Sequence, residues 1–175
     1  MGRTVLGSRR EDVRFGALAF LYIMAVAIAS GVVSAYGPAA LPYTALFLIG
    51  LDLTTRDFLH EYLTDRAVRP LLFMMLIITA GGMVNLATAT GGRQIVVAST
   101  AAFLLGGYVD MLVYHWLSSQ TVAVRVLGSN LASALVDSTV FPLLAFSMLS
   151  MPLLAQQTAL KVIGGAVWLL ILRKR

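Results

Sequence analysis

FGALAFLYIMAVAIASGVVSAY, residues 15–36, runs for 22 residues without a charged side chain. At 1.5 Å per residue such a run is about 33 Å long as a helix, enough to cross the hydrocarbon core of a bilayer. The rest of the chain has the same character. Of its 175 residues 59% are hydrophobic and 12% charged, against about 25% charged in ordinary soluble domains, and its mean hydropathy is +0.86. Long uncharged runs of this kind need lipid around them, so an all-α polytopic membrane protein is expected, with residues 1–175 forming a single membrane domain. Near Gly37-Pro38 the first run breaks, because proline lacks an amide hydrogen and disfavours helix at the residue before it. Six spans are expected in all, at about residues 15–36, 41–57, 71–89, 94–117, 128–149 and 154–172. The first run is too long for the apolar part of a cleavable signal, so none is expected.

Charge placement sets the expected orientation. Alternating the six spans puts Arg3, Arg9, Arg10, Arg14, Arg56, Arg66, Arg69, Arg125, Arg173, Lys174 and Arg175 on one side and only Arg93 and Lys161 on the other. Because Lys and Arg collect in cytoplasmic loops, both termini are expected in the cytoplasm. The net charge of +5 therefore reads as a topology signal. No basic patch interleaved with aromatics points to nucleic acid. Cysteine is absent, which excludes disulfides, thiolate metal sites and a cysteine nucleophile. With two histidines and neither a zinc-protease motif, a nucleophile elbow nor a phosphate-binding glycine loop, no metal, cofactor or enzymatic activity is expected. The pairs Gly81-Gly82, Gly106-Gly107 and Gly164-Gly165 read as points of close helix approach. Three helices followed by three more would suit an inverted repeat, but the halves show no convincing sequence match.

Polar residues inside apolar helices are the candidates for function, since an ionised side chain at membrane depth costs roughly 3 kcal/mol on insertion scales. In the fifth run, helical spacing places Ser129, Asn130, Ser133 and Asp137 on one stripe, a polar lining or a hydrogen-bonded seam. In the fourth, Ser99, Phe103, Gly107, Asp110 and Tyr114 share a face, which combines an acid, aromatics and a small residue. A carboxylate can accept two parallel N–H donors from an amidine-like ring edge while an aromatic stacks on the ring face. Alternatively Asp110 pairs with Arg125 or Arg56. The second run turns polar early, at Asp52-Leu53-Thr54-Thr55-Arg56-Asp57-Phe58-Leu59-His60-Glu61, with spacings that form a charged face expected at the cytoplasmic mouth. The sixth run reads as bland.

Two stretches, Leu51 to Glu61 and Arg125 to Phe141, together resemble the VUT, or queuosine precursor transporter, family. The resemblance lies in Asp57 and Glu61 at the end of the second helix, in Asp110 before Tyr114 in the fourth, and in Arg125, Ser129, Asn130, Asp137 and Ser138 in the fifth. It covers about Leu41 to Phe146. Thr54-Thr55 before the Arg-Asp pair and a compact sixth helix depart from the family pattern. The resemblance implies uptake of 7-cyano-7-deazaguanine or a related 7-deazaguanine by a multi-pass protein of a bacterial inner membrane. The helix faces and the resemblance together give the expected substrate-binding residues as Asp137, Asn130, Ser133, Asp110, Tyr114, Phe103, Arg125, Ser129, Ser138, Asp57, Arg56 and Glu61. Partners expected are the heterocyclic substrate and the lipid bilayer, with a homo-oligomer and a separate energising module left open. An ATP-driven vitamin-type uptake subunit and a non-transporting structural protein are the alternative readings.

Overall fold

The computed structural model describes residues 5–66, 69–89 and 91–173, with side chains for 13–64, 69–89 and 91–172. Arg3, Lys174 and Arg175, and the side chains of Arg9, Arg10, Arg66 and Arg173, lie outside the described residues. The described chain is helical and unbroken by strands. In order come α1 (Val5–Tyr36), a 3-10 turn (Gly37–Ala40), α2 (Leu41–Tyr43), a π-helical stretch (Thr44–Ile49), α3 (Gly50–Arg66), α4 (Pro70–Thr88), α5 (Arg93–Trp116), α6 (Val122–Phe146) and α7 (Met151–Arg173). Pro38, Pro42 and Pro70 each sit in the first turn of their helix, where the missing amide costs nothing.

Five helical stretches are long and apolar enough to cross a membrane, the first of them Val13–Thr64 with 52 residues. The sixfold expectation separated this stretch into two runs. The structure joins them because the break at Gly37, whose φ is +65°, is made by a 3-10 turn followed directly by further helical turns instead of by a loop. The chain nevertheless reverses there. Phe15 stacks on Tyr62, the Arg14 guanidinium lies over Phe58, and Arg56 lies over Tyr22, so α1 and α3 run antiparallel.

The second run was also expected to end near residue 57, and α3 in fact continues to Arg66. Most of its polar residues are not at a solvated mouth: Asp52, Thr54, Thr55, Arg56, Asp57 and His60 are buried inside the bundle, and Glu61 is exposed. Lys161, counted with the outer side, is likewise buried, in the middle of α7. Neither Arg56 nor Lys161 belongs in a count of loop charges. The sixth run is therefore not bland, since Gln157, Thr158 and Lys161 all face the interior.

Two seams draw the helices together. On the first, a Cβ added to Gly164 would lie 2.0 Å from the Leu46 carbonyl oxygen, and one on Gly50 would lie 2.6 Å from the Gly164 carbonyl carbon. Backbones meet there with no side chain between them. Thr54 Oγ1 donates to the Gly165 carbonyl (2.8 Å) and Trp168 Nε1 to the Phe47 carbonyl (2.8 Å), the latter in the π-helical stretch. The second seam is polar: Ser30 Oγ lies 3.0 Å from Asn85 Oδ1 and 2.6 Å from Ser99 Oγ, and Asn85 Nδ2 donates to Thr100 Oγ1 (2.8 Å). It ties α1, α4 and α5 with hydrogen bonds that the apolar surroundings would otherwise leave unmade.

Candidate functional site

The polar faces of α3, α5, α6 and α7 turn toward one another around a central cavity with about 620 Å3 of atom-free space, its mouth included. Its floor and walls carry Asp52 and Arg56 from α3, Phe103 from α5, Ser133 and Asp137 from α6, and Gln157 and Lys161 from α7. Val26, Ala29 and Ser30 of α1 and Thr44, Ala45 and Ile49 of the π-helical stretch complete it. The Phe103 ring is braced by Tyr22, with ring centroids 5.1 Å apart.

The charges in this cavity are paired. Arg56 bonds Asp52 through Nη2, donates from Nη1 to Ser133 Oγ (2.9 Å), and lies over the Tyr22 ring at 5.5 Å. The i, i+4 spacing of Asp52 and Arg56 makes the first contact local, and Ser133 anchors the fork across the bundle. On the other side Lys161 Nζ bonds Asp137 and donates to Ser138 Oγ (2.8 Å). Three polar atoms on the cavity residues are left over: Asp52 Oδ1, an acceptor, and Gln157 Nε2 and Arg56 Nε, both donors, are buried without a hydrogen-bond partner.

Behind Arg56 lies a polar layer. Asn130 Nδ2 donates to Asp57 Oδ2 (2.8 Å), Asp110 Oδ2 stands 3.9 Å from Arg56 Nη1 and 4.0 Å from His60 Nε2, and the His60 ring packs on Tyr114 at 4.8 Å. Arg125 covers the same Tyr114 ring at 5.1 Å. Beyond the layer a second cavity, with about 740 Å3 of atom-free space, is lined by Asp57, Glu61, Tyr114 and apolar residues of α6.

A family model described as "Putative vitamin uptake transporter" matches residues 16–172. The chain belongs to this family. No curated protein and no solved structure matches it. The matched span takes in every helix that contributes to the two cavities, so the VUT chain is a multi-pass membrane protein of an uptake-transporter family.

Of the twelve residues singled out in this VUT protein from sequence, Arg56, Phe103, Ser133 and Asp137 line the central cavity, and Asp57, Glu61 and Tyr114 line the second. Asp110, Ser129, Asn130, Arg125 and Ser138 line neither; Asp110, Ser129 and Asn130 are buried, as is Ser138 beneath Lys161. The expected face Ser99, Phe103, Gly107, Asp110 and Tyr114 is buried along its whole length. Asp110 faces Arg56, one of the two partners considered for it, while Arg125 goes to Tyr114 instead. His115 is exposed. Sequence reasoning missed Lys161, Gln157 and the role of Asp52. A lysine in the middle of an apolar run was the available signal for the first, because an ammonium at that depth needs a carboxylate across from it.

Proposed function

We propose that this VUT transporter imports a 7-deazaguanine queuosine precursor, 7-cyano-7-deazaguanine or a close relative, by binding it in the central cavity between α3, α5, α6 and α7. The observation that carries the reading is two of the three unsatisfied buried atoms on the cavity residues, the acceptor Asp52 Oδ1 and the donor Gln157 Nε2. A deazaguanine offers N–H donors beside a ring carbonyl on one edge. A bare carboxylate oxygen accepts from the first and an amide nitrogen donates to the second. Phe103 supplies a ring to stack on. Since Arg56 and Lys161 already neutralise Asp52 and Asp137, the cavity favours a neutral polar solute over an ion. Asp137, Ser133 and Arg56 complete the contacts in this reading.

The transporter crosses the membrane six times, α1 and the leg from α2 through α3 each making one crossing, because the 52 residues of Val13–Thr64 would reach about 78 Å if straight. With Arg56 and Lys161 withdrawn to the interior, the remaining loop and terminal Lys and Arg divide ten to one, with Arg93 alone on the other side, which supports both termini in the cytoplasm and the chain in a bacterial inner membrane. Residues 1–175 form one membrane domain.

The test is counterflow. Liposomes holding the purified chain alone and loaded with unlabelled 7-cyano-7-deazaguanine should take up labelled compound from outside, and Gln157→Leu should slow this roughly 10- to 100-fold, the effect of leaving a substrate carbonyl unmet. Exchange that appears only when an ATP-driven module is added would make the chain the binding subunit of such a system. No exchange under either condition would overturn the transport reading.

A further inference from the structure

Three carboxylates, Asp52, Asp57 and Asp110, are buried within the bundle among the described residues and a fourth, Asp137, is half-buried on the cavity wall, against the buried basic residues Arg56 and Lys161 and the half-buried Arg125, which lies over Tyr114. Arg56 and Lys161 are taken by Asp52 and Asp137. Asp57 and Asp110 are left without a full counter-charge. Asp57 has one donor, Asn130, and its Oδ1 has none. Asp110 is 0% exposed, with the Ser129 hydroxyl beside it and Arg56 Nη1 3.9 Å from its Oδ2. Beside it His60, also buried, holds an unbonded Nε2 4.0 Å from Asp110 Oδ2. Uncompensated charge at membrane depth is heavily penalised, and a bound proton removes the penalty where no cation is at hand.

The position of this pair matters as much as its charge. Asp110 and His60 line neither cavity. They stand between Arg56, which faces the central one, and Asp57 and Tyr114, which face the second. We propose that Asp110, with His60 beside it, is a proton-binding site that couples substrate uptake to the proton gradient; this rests on the transport reading above. Ionised, Asp110 draws Arg56 back from the central cavity. Protonated, it releases Arg56 to Asp52 and Ser133 on the cavity wall, so the proton and the substrate bias the same guanidinium.

The groups facing Asp110 fit this. From α1 comes the Tyr22 hydroxyl, from α3 Asp52, Arg56, Asp57 and His60, and from α6 Ser129, with Asn130 bonded to Asp57 and Arg125 held over Tyr114. Sodium is disfavoured as the coupling ion. The cluster lies on unbroken stretches of α3 and α5, which free no backbone carbonyls, and no grouping of acidic or histidine side chains among the described residues is set to hold a metal ion.

Liposomes holding the full chain test it. With the lumen one pH unit more alkaline than the outside, wild type should concentrate labelled 7-cyano-7-deazaguanine up to about tenfold at one proton per solute, a protonophore should collapse this, and a luminal pH dye should report acidification on substrate addition. D110N should lose concentration and acidification yet keep counterflow. H60Q, offered in case D110N does not fold, should shift the pH dependence of concentrative uptake. Wild-type counterflow with no response to the pH gradient, concentration driven by sodium instead, or D110N that still concentrates would each overturn the proton site while leaving transport intact. Absence of wild-type counterflow would overturn the transport reading and the proton site with it.

Discussion

Lys161→Met should abolish uptake and lower the melting temperature of the purified protein, whereas Lys161→Met combined with Asp137→Asn should recover the melting temperature and leave uptake abolished. Lys161 is 5% exposed at its side chain and Asp137 18%, so removing either partner strands the other in surroundings that cannot solvate it fully. Breaking a buried ion pair costs about 3–5 kcal/mol. The partial exposure of Asp137 reduces this for Lys161→Met to roughly 2–3 kcal/mol, on the order of 5–10 °C in melting temperature for a chain of this size. Asp137→Asn alone strands the deeper Lys161, with Ser138 as its remaining bond, and should cost more than Lys161→Met. The double substitution removes both charges and so separates structural loss from functional loss. Uptake that survives in the double variant would take this pair out of the substrate site.

Arg56→Lys should reduce uptake at least about 100-fold despite keeping the charge. The arginine uses one nitrogen on Asp52, another on Ser133, and its plane on the Tyr22 ring. A lysine ammonium is a single point on a shorter reach and cannot hold both ends of that fork while lying flat on an aromatic. Arg56→Met should go further and lower the yield of folded protein, because Asp52 and Asp110 then lose their shared cation. Transport rate read beside melting temperature distinguishes the two: Arg56→Lys loses rate with a modest thermal change, Arg56→Met loses both. Near-normal transport by Arg56→Lys would mean that the guanidinium fork has no part in the cavity.

Much of the fold is legible because bilayer thickness sets run length and proline and glycine mark the turns. The buried faces of α5 and α6 follow from helical spacing alone: Ser99, Phe103, Gly107, Asp110 and Tyr114 on one, Ser129, Asn130 and Ser133 on the other. Spacing does not say what lies opposite a face. The tract from Asp52 to Glu61 has the periodicity of a solvated surface as well as that of a buried one, and only Ser133 and Tyr22 across from Arg56 decide between them. Lys161 is ambiguous for a similar reason. One lysine within an apolar run fits a span boundary until Asp137 is found beside it. Gln157 carries no sequence signal beyond being polar, and its importance comes from an amide nitrogen left unpaired beside a cavity. The glycine seam, by contrast, was readable: Gly164-Gly165 permits the backbone contact with Leu46 and Gly50 that the structure contains.

The most direct measurement is the thermal shift of the detergent-purified protein with 7-cyano-7-deazaguanine, guanine, adenine or no ligand, repeated on Ala102→Phe. Ala102 lines the central cavity and is fully buried, so a phenyl ring there occupies the proposed site without disturbing any charge. A ligand that binds only the folded state stabilises it, by about 2.7 kcal/mol at a hundred times its dissociation constant. Binding in this cavity requires a rise with the deazaguanine that exceeds the rise with guanine, is absent with adenine, and disappears in Ala102→Phe. An equal rise in wild type and Ala102→Phe, or none with the deazaguanine at all, would contradict it.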